Sequence, residues 1–356
     1  MSGHFSALLA AIPSAEPVDR VPVTVLTGFL GSGKTTLLNR LLALPDLEGT
    51  AVIVNEFGAV GIDHDLVAHS TEDTVLLANG CLCCAVRGDL VAALVRLRER
   101  GASLRRVLVE TSGLADPGPI LRTLMGEPAV VAHYRLAGTA CTVDAVLGLD
   151  TLARHPQAQR QAAVADLLLV TKTDLLEDGT LPAGLIDRLG RLNPQAMRRD
   201  DAVMHAQSLR RLMERPPLDA PSDPAPAYRP AAGVAPASTA DASLHAEDIR
   251  SFVITREEPL PRDGFAAWMD MLVAMRGEDL LRVKGIVALA EQPEQPLVFH
   301  GVQHLFAPPQ TLPAWPGPDR RTRIVFITRG MDVQALDESL HVLARRRRRA
   351  PAAASG

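Results

Sequence analysis

Short apolar runs alternate with stretches of helical periodicity through residues 21–215. Five runs have the length and the Val, Leu and Ile content of buried strands, and apolar positions at helical spacing lie between most of them. The predicted strands are Val21–Leu26, Ala51–Val54, Arg106–Val109, Gly138–Val143 and Asp166–Val170. This alternation predicts an α/β domain whose mostly parallel sheet carries helices on both faces.

The pattern stops in residues 216–244, which are rich in Pro and Ala and have no periodicity. We predict a linker here, and a long surface loop inside one domain is the alternative. Periodicity returns at His245 and predicts a smaller α+β domain over residues 245–335, built on a mostly antiparallel sheet. Its predicted strands are Ile249–Thr255, Leu281–Ala288, Leu297–Phe306 and Arg323–Thr328, and its predicted helices lie near Phe265–Met275 and Val333–Ala344.

The two ends of the chain have their own patterns. Residues 1–20 contain an apolar patch, Phe5–Ile12, without a basic region before it, so we predict a flexible N-terminus and not a signal peptide. Residues 336–356 contain the end of a helix and then five consecutive arginines, Arg345–Arg349. Such a charge run is typical of a solvated terminus, and binding of an acidic partner is the alternative.

Composition narrows the classes of function. The length of 356 residues suggests two domains, and with 3% aromatic residues the core is expected to consist mainly of Leu, Val and Ala. The 37 basic and 41 acidic residues nearly cancel, which argues against a nucleic-acid groove over the whole surface. No apolar run reaches the roughly 20 residues of a membrane span. We therefore expect a cytoplasmic protein.

A glycine-rich segment at Gly28–Thr35 fits the phosphate-loop pattern G-x-x-x-x-G-K-[ST]. A predicted strand precedes it, and Thr36–Leu44 has the pattern of a helix. Glycines allow backbone N–H groups to surround phosphates, and the helix N-terminus adds positive potential. Lys34 can reach the β- and γ-phosphates, and the Thr35 hydroxyl can ligate Mg²⁺. The predicted nucleotide contacts in this segment are Gly28, Gly31, Ser32, Gly33, Lys34, Thr35 and Thr36.

Two further strand ends carry chemistry related to the phosphate loop. Arg106–Val109 is followed by Glu110, a carboxylate placed to act beside Mg²⁺, and then by Gly113, whose N–H can meet the γ-phosphate. A solvated acidic strand end is the alternative for Glu110. A later strand ends in Thr171-Lys-Thr-Asp174, where Asp174 can accept two hydrogen bonds from guanine and the Lys172 stem can cover the base. Thr171 stands where Asn is commoner.

A cysteine cluster, Cys81-Leu-Cys83-Cys84, lies between the phosphate loop and Glu110. Such close spacing is unsuited to structural disulfides, and thiolates are ligands for Zn²⁺ and similar ions. Three adjacent thiols do not easily close a tetrahedral site, so the ion would remain exchangeable. Glu56, at the end of the second predicted strand, could reach either Mg²⁺ or the cysteine-bound metal. Buried structural cysteines, a redox switch and a solvated Glu56 are the alternatives.

Together these motifs resemble the CobW-type family of P-loop GTPases, also called the G3E group. The resemblance rests on Gly28–Leu38, Val54–Gly58, Gly80–Cys84, Glu110–Ile120, Thr171–Asp174 and two second-domain segments, Arg282–Leu289 and Val298–Phe306. It implies a Mg²⁺-dependent GTP hydrolase in which Glu110 replaces the more usual Asp. It also implies that Cys81, Cys83 and Cys84 bind Zn²⁺ or Co²⁺ and that the metal passes to a client metalloprotein. The linker has almost no histidines, so metal storage is not expected.

The sequence thus predicts a GTPase whose nucleotide state controls a thiolate metal site. Lys34, Thr35 and Glu110 are the predicted catalytic residues. A metal or redox sensor that binds nucleotide without turnover is one alternative, and a P-loop kinase or ATPase is another. The client protein, the physiological metal, the water-activating group and the oligomeric state stay open.

Overall fold

The computed structural model describes residues 4–10, 20–44, 47, 49–55, 74–77, 85–99, 104–200, 202–214 and 249–346. The chain divides into two compact units. Residues 1–15 and 218–356 form the antiparallel-sheet unit, which includes an N-terminal helix, α1 (His4–Ala10). Residues 16–217 form the parallel-sheet unit.

The parallel-sheet unit has a seven-stranded sheet in the order β3-β2-β4-β1-β5-β6-β7, and every neighbouring pair is parallel. All five predicted strands are present, and the short β3 and β7 were not predicted. The strands are β1 (Val21–Gly28), β2 (Thr50–Asn55), β3 (Thr74–Leu77), β4 (Arg106–Glu110), β5 (Tyr134–Asp144), β6 (Leu167–Thr171) and β7 (Met197–Arg199). Because parallel strands end at one edge, the residues that follow β1, β4, β5 and β6 meet there.

Eight helices of this unit are described, and they cover the apolar strands. They are α2 (Lys34–Leu42), α3 (Ala85–Glu99), α4 (Gly118–Gly126), α5 (Pro128–Val131), α6 (Gly148–Arg154), α7 (Pro156–Ala163), α8 (Ala183–Leu192) and α9 (Ala202–Met213). Helix α2 packs with α9, whereas α6, α7 and α8 contact one another as a second group. The α/β class predicted from the alternating pattern is confirmed.

The antiparallel-sheet unit has the strand order β11-β10-β9-β13-β8, and β12 pairs with β10. Two helices that pack together, α10 and α11, accompany the sheet. The elements are β8 (Ile249–Arg256), α10 (Arg262–Arg276), β9 (Leu280–Leu289), β10 (Gln292–Val302), β11 (Leu305–Phe306), β12 (Gln310–Thr311), β13 (Thr322–Arg329) and α11 (Val333–Arg346). The smaller antiparallel α+β domain is thus present as predicted.

One predicted strand of this unit is wrong in its extent. The run Leu297–Phe306 is not one strand, because the chain reverses between Val302 and Leu305, which face each other across a hairpin. Gln303 adopts the left-handed conformation, with φ of 56°. No Gly or Asn marks the turn, so the sequence pattern alone did not reveal it.

The expectation of a flexible N-terminus is wrong for residues 4–10. These residues form α1, and Phe5 and Leu9 are 1% and 2% exposed in the core of the antiparallel-sheet unit. The Phe5 ring lies 5.0 Å from that of Phe306 and 5.5 Å from that of Phe299. The Asp270 carboxylate accepts hydrogen bonds from the N–H groups of Phe5, at 2.7 Å, and Ser6, which satisfies the start of the helix.

The core composition also differs from the expectation. Leu, Val and Ala fill the parallel-sheet unit as predicted, but the other core contains six phenylalanines and a tryptophan. They are Phe5, Phe252, Phe265, Trp268, Phe299, Phe306 and Phe326. Among the described helices, none is both long and apolar enough to cross a membrane.

Candidate nucleotide site

The phosphate loop connects β1 to α2 and depends on its glycines. Gly31 and Gly33 have φ of 68° and 90°, in the left-handed region that glycine adopts without strain. A Cβ at Gly28 would lie 2.2 Å from the Thr142 hydroxyl, so the loop packs too closely on β5 for a larger residue. Lys34 begins α2 and is 9% exposed, and its Nζ donates to the carbonyls of Gly28, at 2.9 Å, and Phe29, at 3.2 Å. The ammonium group therefore lies inside the curve of the loop.

Thr35 and Glu110 come together at the edge of the sheet. Glu110 ends β4, which pairs with β1 so that Leu26 lies opposite Glu110. The Thr35 hydroxyl donates to Glu110 Oε1 at 3.4 Å, and Glu110 is 3% exposed. A hydroxyl and a buried carboxylate are hard oxygen ligands, so this pair fits Mg²⁺.

The loop after β4 lies directly on the phosphate loop. The Thr111 N–H donates to the Leu26 carbonyl at 2.9 Å, and the Thr111 hydroxyl donates to the Thr27 hydroxyl at 2.9 Å. A Cβ on Gly113 would lie 2.7 Å from the backbone nitrogen of Leu30. Only glycine fits there, so Gly113 is held against the phosphate loop, as the prediction of a phosphate contact requires.

The loop after β6 is attached to the phosphate loop by Thr171. Its hydroxyl donates to the Ser32 carbonyl at 2.7 Å and is buried. Thr171 thus makes a defined contact in the position where Asn is commoner. Lys172 follows in the left-handed conformation, with φ of 60°, and Asp174 lies exposed in the 3₁₀ turn Thr173–Leu175.

Asp144, which the sequence reasoning missed, joins this arrangement from the end of β5. Its carboxylate pairs with Lys172 Nζ at 2.7 Å and accepts from the N–H groups of Val146 and Leu147. Burial alone would raise the pKa of Asp144, but the hydrogen bonds from Lys172 and the backbone outweigh it, so the pKa lies below its usual value. The available signal was an acidic residue at the end of a buried strand, as at Glu110.

The structure brings most of the predicted site residues to one edge of the sheet. Thr36 is an exposed residue in the first turn of α2. The other predicted residues that the structure describes at this edge are Gly28, Gly31, Ser32, Gly33, Lys34, Thr35, Glu110, Gly113, Lys172 and Asp174. Glu56, Cys81, Cys83 and Cys84 lie outside the described residues. Within the described ranges, no group of three or more His, Cys, Asp or Glu side chains could hold a metal ion.

Cys141, the one cysteine that the structure describes, is buried in β5. Burial raises the pKa of its thiol to about 12, more than the nearby Lys34 charge lowers it. The thiol therefore stays protonated at neutral pH and is a core residue, not a metal ligand.

Family models match both units of the chain. Residues 22–198 match the CobW/HypB/UreG nucleotide-binding domain, and residues 249–344 match the cobalamin synthesis protein CobW C-terminal domain. The two matched ranges contain the phosphate loop, β4, the loop after β6 and every described strand of the antiparallel sheet, whereas α1 lies outside them.

Curated relatives and a solved structure show the same similarity. The chain is 32% identical over 314 residues to the zinc chaperone YjiA of Escherichia coli, covering 87% of this chain and 94% of that protein. It is 35% identical over 191 residues to the zinc chaperone CobW of a Sinorhizobium species, covering 46% and 54% of the two chains. The fold matches the crystal structure of Zn(II)-bound YjiA GTPase from E. coli with a TM-score of 0.64 at 24% identity, covering 92% of this chain and 99% of that one.

Proposed function

Because this chain belongs to the CobW/HypB/UreG family and is a GTPase, we propose that it is a metallochaperone whose nucleotide cycle controls the transfer of zinc or cobalt to a client protein. The observation that carries the nucleotide part of the proposal is the approach of Thr35 to Glu110, 3.4 Å apart, beside the buried Lys34. Lys34 supplies a cation for a bound triphosphate, and Thr35 and Glu110 supply hard oxygen ligands for its Mg²⁺.

The roles of the phosphate-binding residues follow from their positions. Lys34 places a positive charge inside the loop, where it can stabilise the charge that develops on the β- and γ-phosphate oxygens during hydrolysis. Thr35 and Glu110 would hold Mg²⁺, which when bound neutralises phosphate charge. Gly113 would contact the γ-phosphate, so its loop would distinguish GTP from GDP.

Base recognition is assigned to the loop after β6. The Asp174 carboxylate can accept from both N1–H and the exocyclic amine of guanine, and adenine has no such donor pair. The left-handed backbone at Lys172 and the bond from Thr171 to the phosphate loop fix where this loop begins. We assign Lys172 to the face of the base, with Asp144 holding its ammonium group.

The metal would be cargo bound by Cys81, Cys83 and Cys84, with Glu56 as a further candidate ligand. Three relatives by name support this part: the zinc chaperones YjiA and CobW and the zinc-regulated GTPase metalloprotein activator 1 of Schizosaccharomyces pombe. The cysteine segment connects the end of β3 to the start of α3. Since β3 is parallel to β2 and the rest of the sheet, that end lies at the same edge as the nucleotide residues.

The test is a Co²⁺ titration of the full chain with GTP and with GDP. Thiolate-bound Co²⁺ absorbs by charge transfer, so we expect this absorption in the parent chain and its loss in the double variant Cys83→Ser, Cys84→Ser. Cys141→Ala is the matched control, because Cys141 is buried in β5 and should leave the absorption unchanged.

Coupling between the two sites gives the decisive result. We expect metal affinity to differ between the GTP and GDP states by about 5- to 150-fold, with the metal changing nucleotide affinity by the same factor. Metal binding should weaken as pH falls, because thiols must lose their protons. Equal affinities in both states would leave a GTPase without nucleotide control of metal, and GTP binding without turnover would favour the sensor.

A further inference from the structure

Helix α7 contacts both the phosphate loop and the loop after β4. At its N-terminus, the His155 ring stacks on the ring of Phe29 in the phosphate loop, with centroids 4.5 Å apart and planes 27° from parallel. At its C-terminal half, Arg160 pairs with Asp116 at 3.3 Å, and Gln161 contacts the loop after β4. Residues 156–163 belong to none of the sequence motifs described above.

Gln161 makes the most deeply buried of these contacts. Its side chain is 0% exposed, and Nε2 donates to two backbone carbonyls, those of Gly113 at 3.1 Å and Ala115 at 3.0 Å. These carbonyls lie on either side of Leu114, which is 48% exposed. A single buried amide therefore fixes two peptide groups of a loop whose tip faces solvent.

The position of the loop gives this contact a functional meaning. Gly113 packs against the backbone of Leu30, and a small displacement of its peptide would move it away from the phosphate loop. Buried carbonyls without donors are costly, so removal of the amide would favour other loop conformations. Binding of GTP would then have to order the loop, whereas GDP lacks the phosphate that the loop would meet.

We propose that Gln161 is a positioning residue for GTP hydrolysis, which holds the loop after β4 in the conformation that contacts the γ-phosphate. The inference rests on the proposed role of Gly113 and extends it to a residue 48 positions away in the chain. Gln161 touches no reacting atom and acts through the Gly113 and Ala115 carbonyls.

A second buried amide, from Asn193 at the end of α8, contacts the same helix and supplies a matched control. Asn193 is 3% exposed, and its amide donates to the carbonyls of Ala162, Ala163 and Ala165, at 2.9, 3.0 and 2.8 Å. It is also a buried amide that donates to backbone carbonyls at the C-terminal end of α7, and the contacts described for it involve neither loop. Loss of its bonds tests what destabilising α7 does by itself.

The experiment compares Gln161→Met, which keeps the volume and removes the donors, with Asn193→Ala. For each, the affinities for GTP and GDP, the steady-state hydrolysis and the melting temperature are measured. We expect Gln161→Met to weaken GTP binding and lower kcat/KM about tenfold, the size of losing one or two hydrogen bonds, with GDP affinity changed less than about twofold. Asn193→Ala should lower the melting temperature, but its ratio of GTP affinity to GDP affinity should equal that of the parent.

A second variant, Gln161→Glu, keeps the test open if Gln161→Met does not fold. Burial raises the pKa of an introduced carboxyl, so its protonated form donates one bond, and GTP preference should be intermediate and fall as pH rises. An unchanged GTP-to-GDP ratio in a folded Gln161 variant overturns the proposal. So does failure of both variants to fold where Asn193→Ala folds, because Gln161 would then serve the scaffold alone. A parent chain that does not hydrolyse GTP would instead refute the proposed function.

Discussion

The two units use buried polar groups in opposite ways. In the parallel-sheet unit, buried polar residues gather at the edge where the strands end, and most bond to another loop of the same edge. The described part of the antiparallel-sheet unit has few buried polar residues, and seven aromatic rings pack in its core together with aliphatic side chains. Those at the parallel edge are Thr27, Ser32, Lys34, Glu110, Thr111, Ser112, Thr142, Asp144 and Thr171.

This difference separates stability from chemistry. A buried hydroxyl or ion costs free energy unless it is hydrogen-bonded, so a unit that buries many of them at one place maintains a site there. A core of rings stabilises through burial and edge-to-face contacts and needs no such network. Changes in the first unit should therefore affect nucleotide handling, and changes in the second should affect unfolding. The following predictions test that separation, from the largest effect to the smallest.

Lys34→Ala should reduce GTP hydrolysis by about 10²- to 10³-fold, because the developing phosphate charge loses a preorganised cation. Phosphate release under saturating GTP measures the loss. Lys284→Ala makes the same deletion in β9 of the other unit and should leave turnover unchanged. Parent-like turnover by Lys34→Ala would remove Lys34 from the catalytic residues.

Phe5→Ala should lower the free energy of unfolding of the antiparallel-sheet unit by about 3 kcal/mol, because a buried ring and its aromatic contacts are lost. Denaturant unfolding measures it, and Phe5→Leu should cost less. GTP turnover is expected to match that of the parent at temperatures below the unfolding transition. A large loss of turnover with unchanged stability would contradict the separation of the two units.

Asp174→Asn should weaken GTP binding by about 1–3 kcal/mol, the size of losing a hydrogen bond to a charged group. Xanthine nucleotides should gain relative to guanine nucleotides, because their position 2 carries a carbonyl. Asp178→Asn, a few residues further along the same loop, is the control and should keep the guanine preference. If Asp174→Asn keeps it too, Asp174 does not contact the base.

Thr171→Val should weaken GTP and GDP binding alike by about 1 kcal/mol, because the Ser32 carbonyl loses its 2.7 Å hydrogen bond while the shape is kept. Titration with both nucleotides measures it, and Thr171→Ser, which keeps the hydroxyl, should bind like the parent. An effect on GTP alone would show that Thr171 acts on the γ-phosphate and not through the loop after β6.

The smallest effect concerns acid stability of the antiparallel-sheet unit. Hydrogen bonds from Arg321, together with the Arg323 charge, lower the pKa of Asp319 to about 2 in spite of partial burial. A depressed folded pKa means that its stabilisation is present above the unfolded value of about 4 and is lost as pH falls toward 2. Asp319→Asn should therefore flatten the decline in melting temperature between these values, and an unchanged slope would contradict it.

The sequence predicts the parallel sheet and its phosphate loop well, because each rests on a local pattern. Val21–Leu26 is apolar except at Thr24, as in strands buried on both faces, and the Gly28–Thr35 spacing has a direct chemical reason. Glu110 was predicted because its strand ends in a carboxylate followed by glycine.

The rest depends on contacts between distant parts of the chain. Asp144 is significant because β5 and β6 are neighbours, and Gln161 because α7 packs beside the Gly113 loop. The docking of α1 needs the ring cluster made by residues more than 240 positions later, such as Phe265. The turn at Gln303 has none of the residues that normally mark one. For Glu56 and the three clustered cysteines, the predictions still await a test.

The docking of α1 has a consequence for how the protein is made. Its Phe5 ring and Leu9 side chain enter a unit whose first described strand, β8, begins at Ile249, so the entire GTPase unit is synthesised between two parts of one core. A ribosome would expose Phe5 and Leu9 long before their neighbours exist, which makes them a target for chaperones. An expression fragment that starts at the phosphate-loop strand would leave the second unit without part of its interior, although no motif is missing from it.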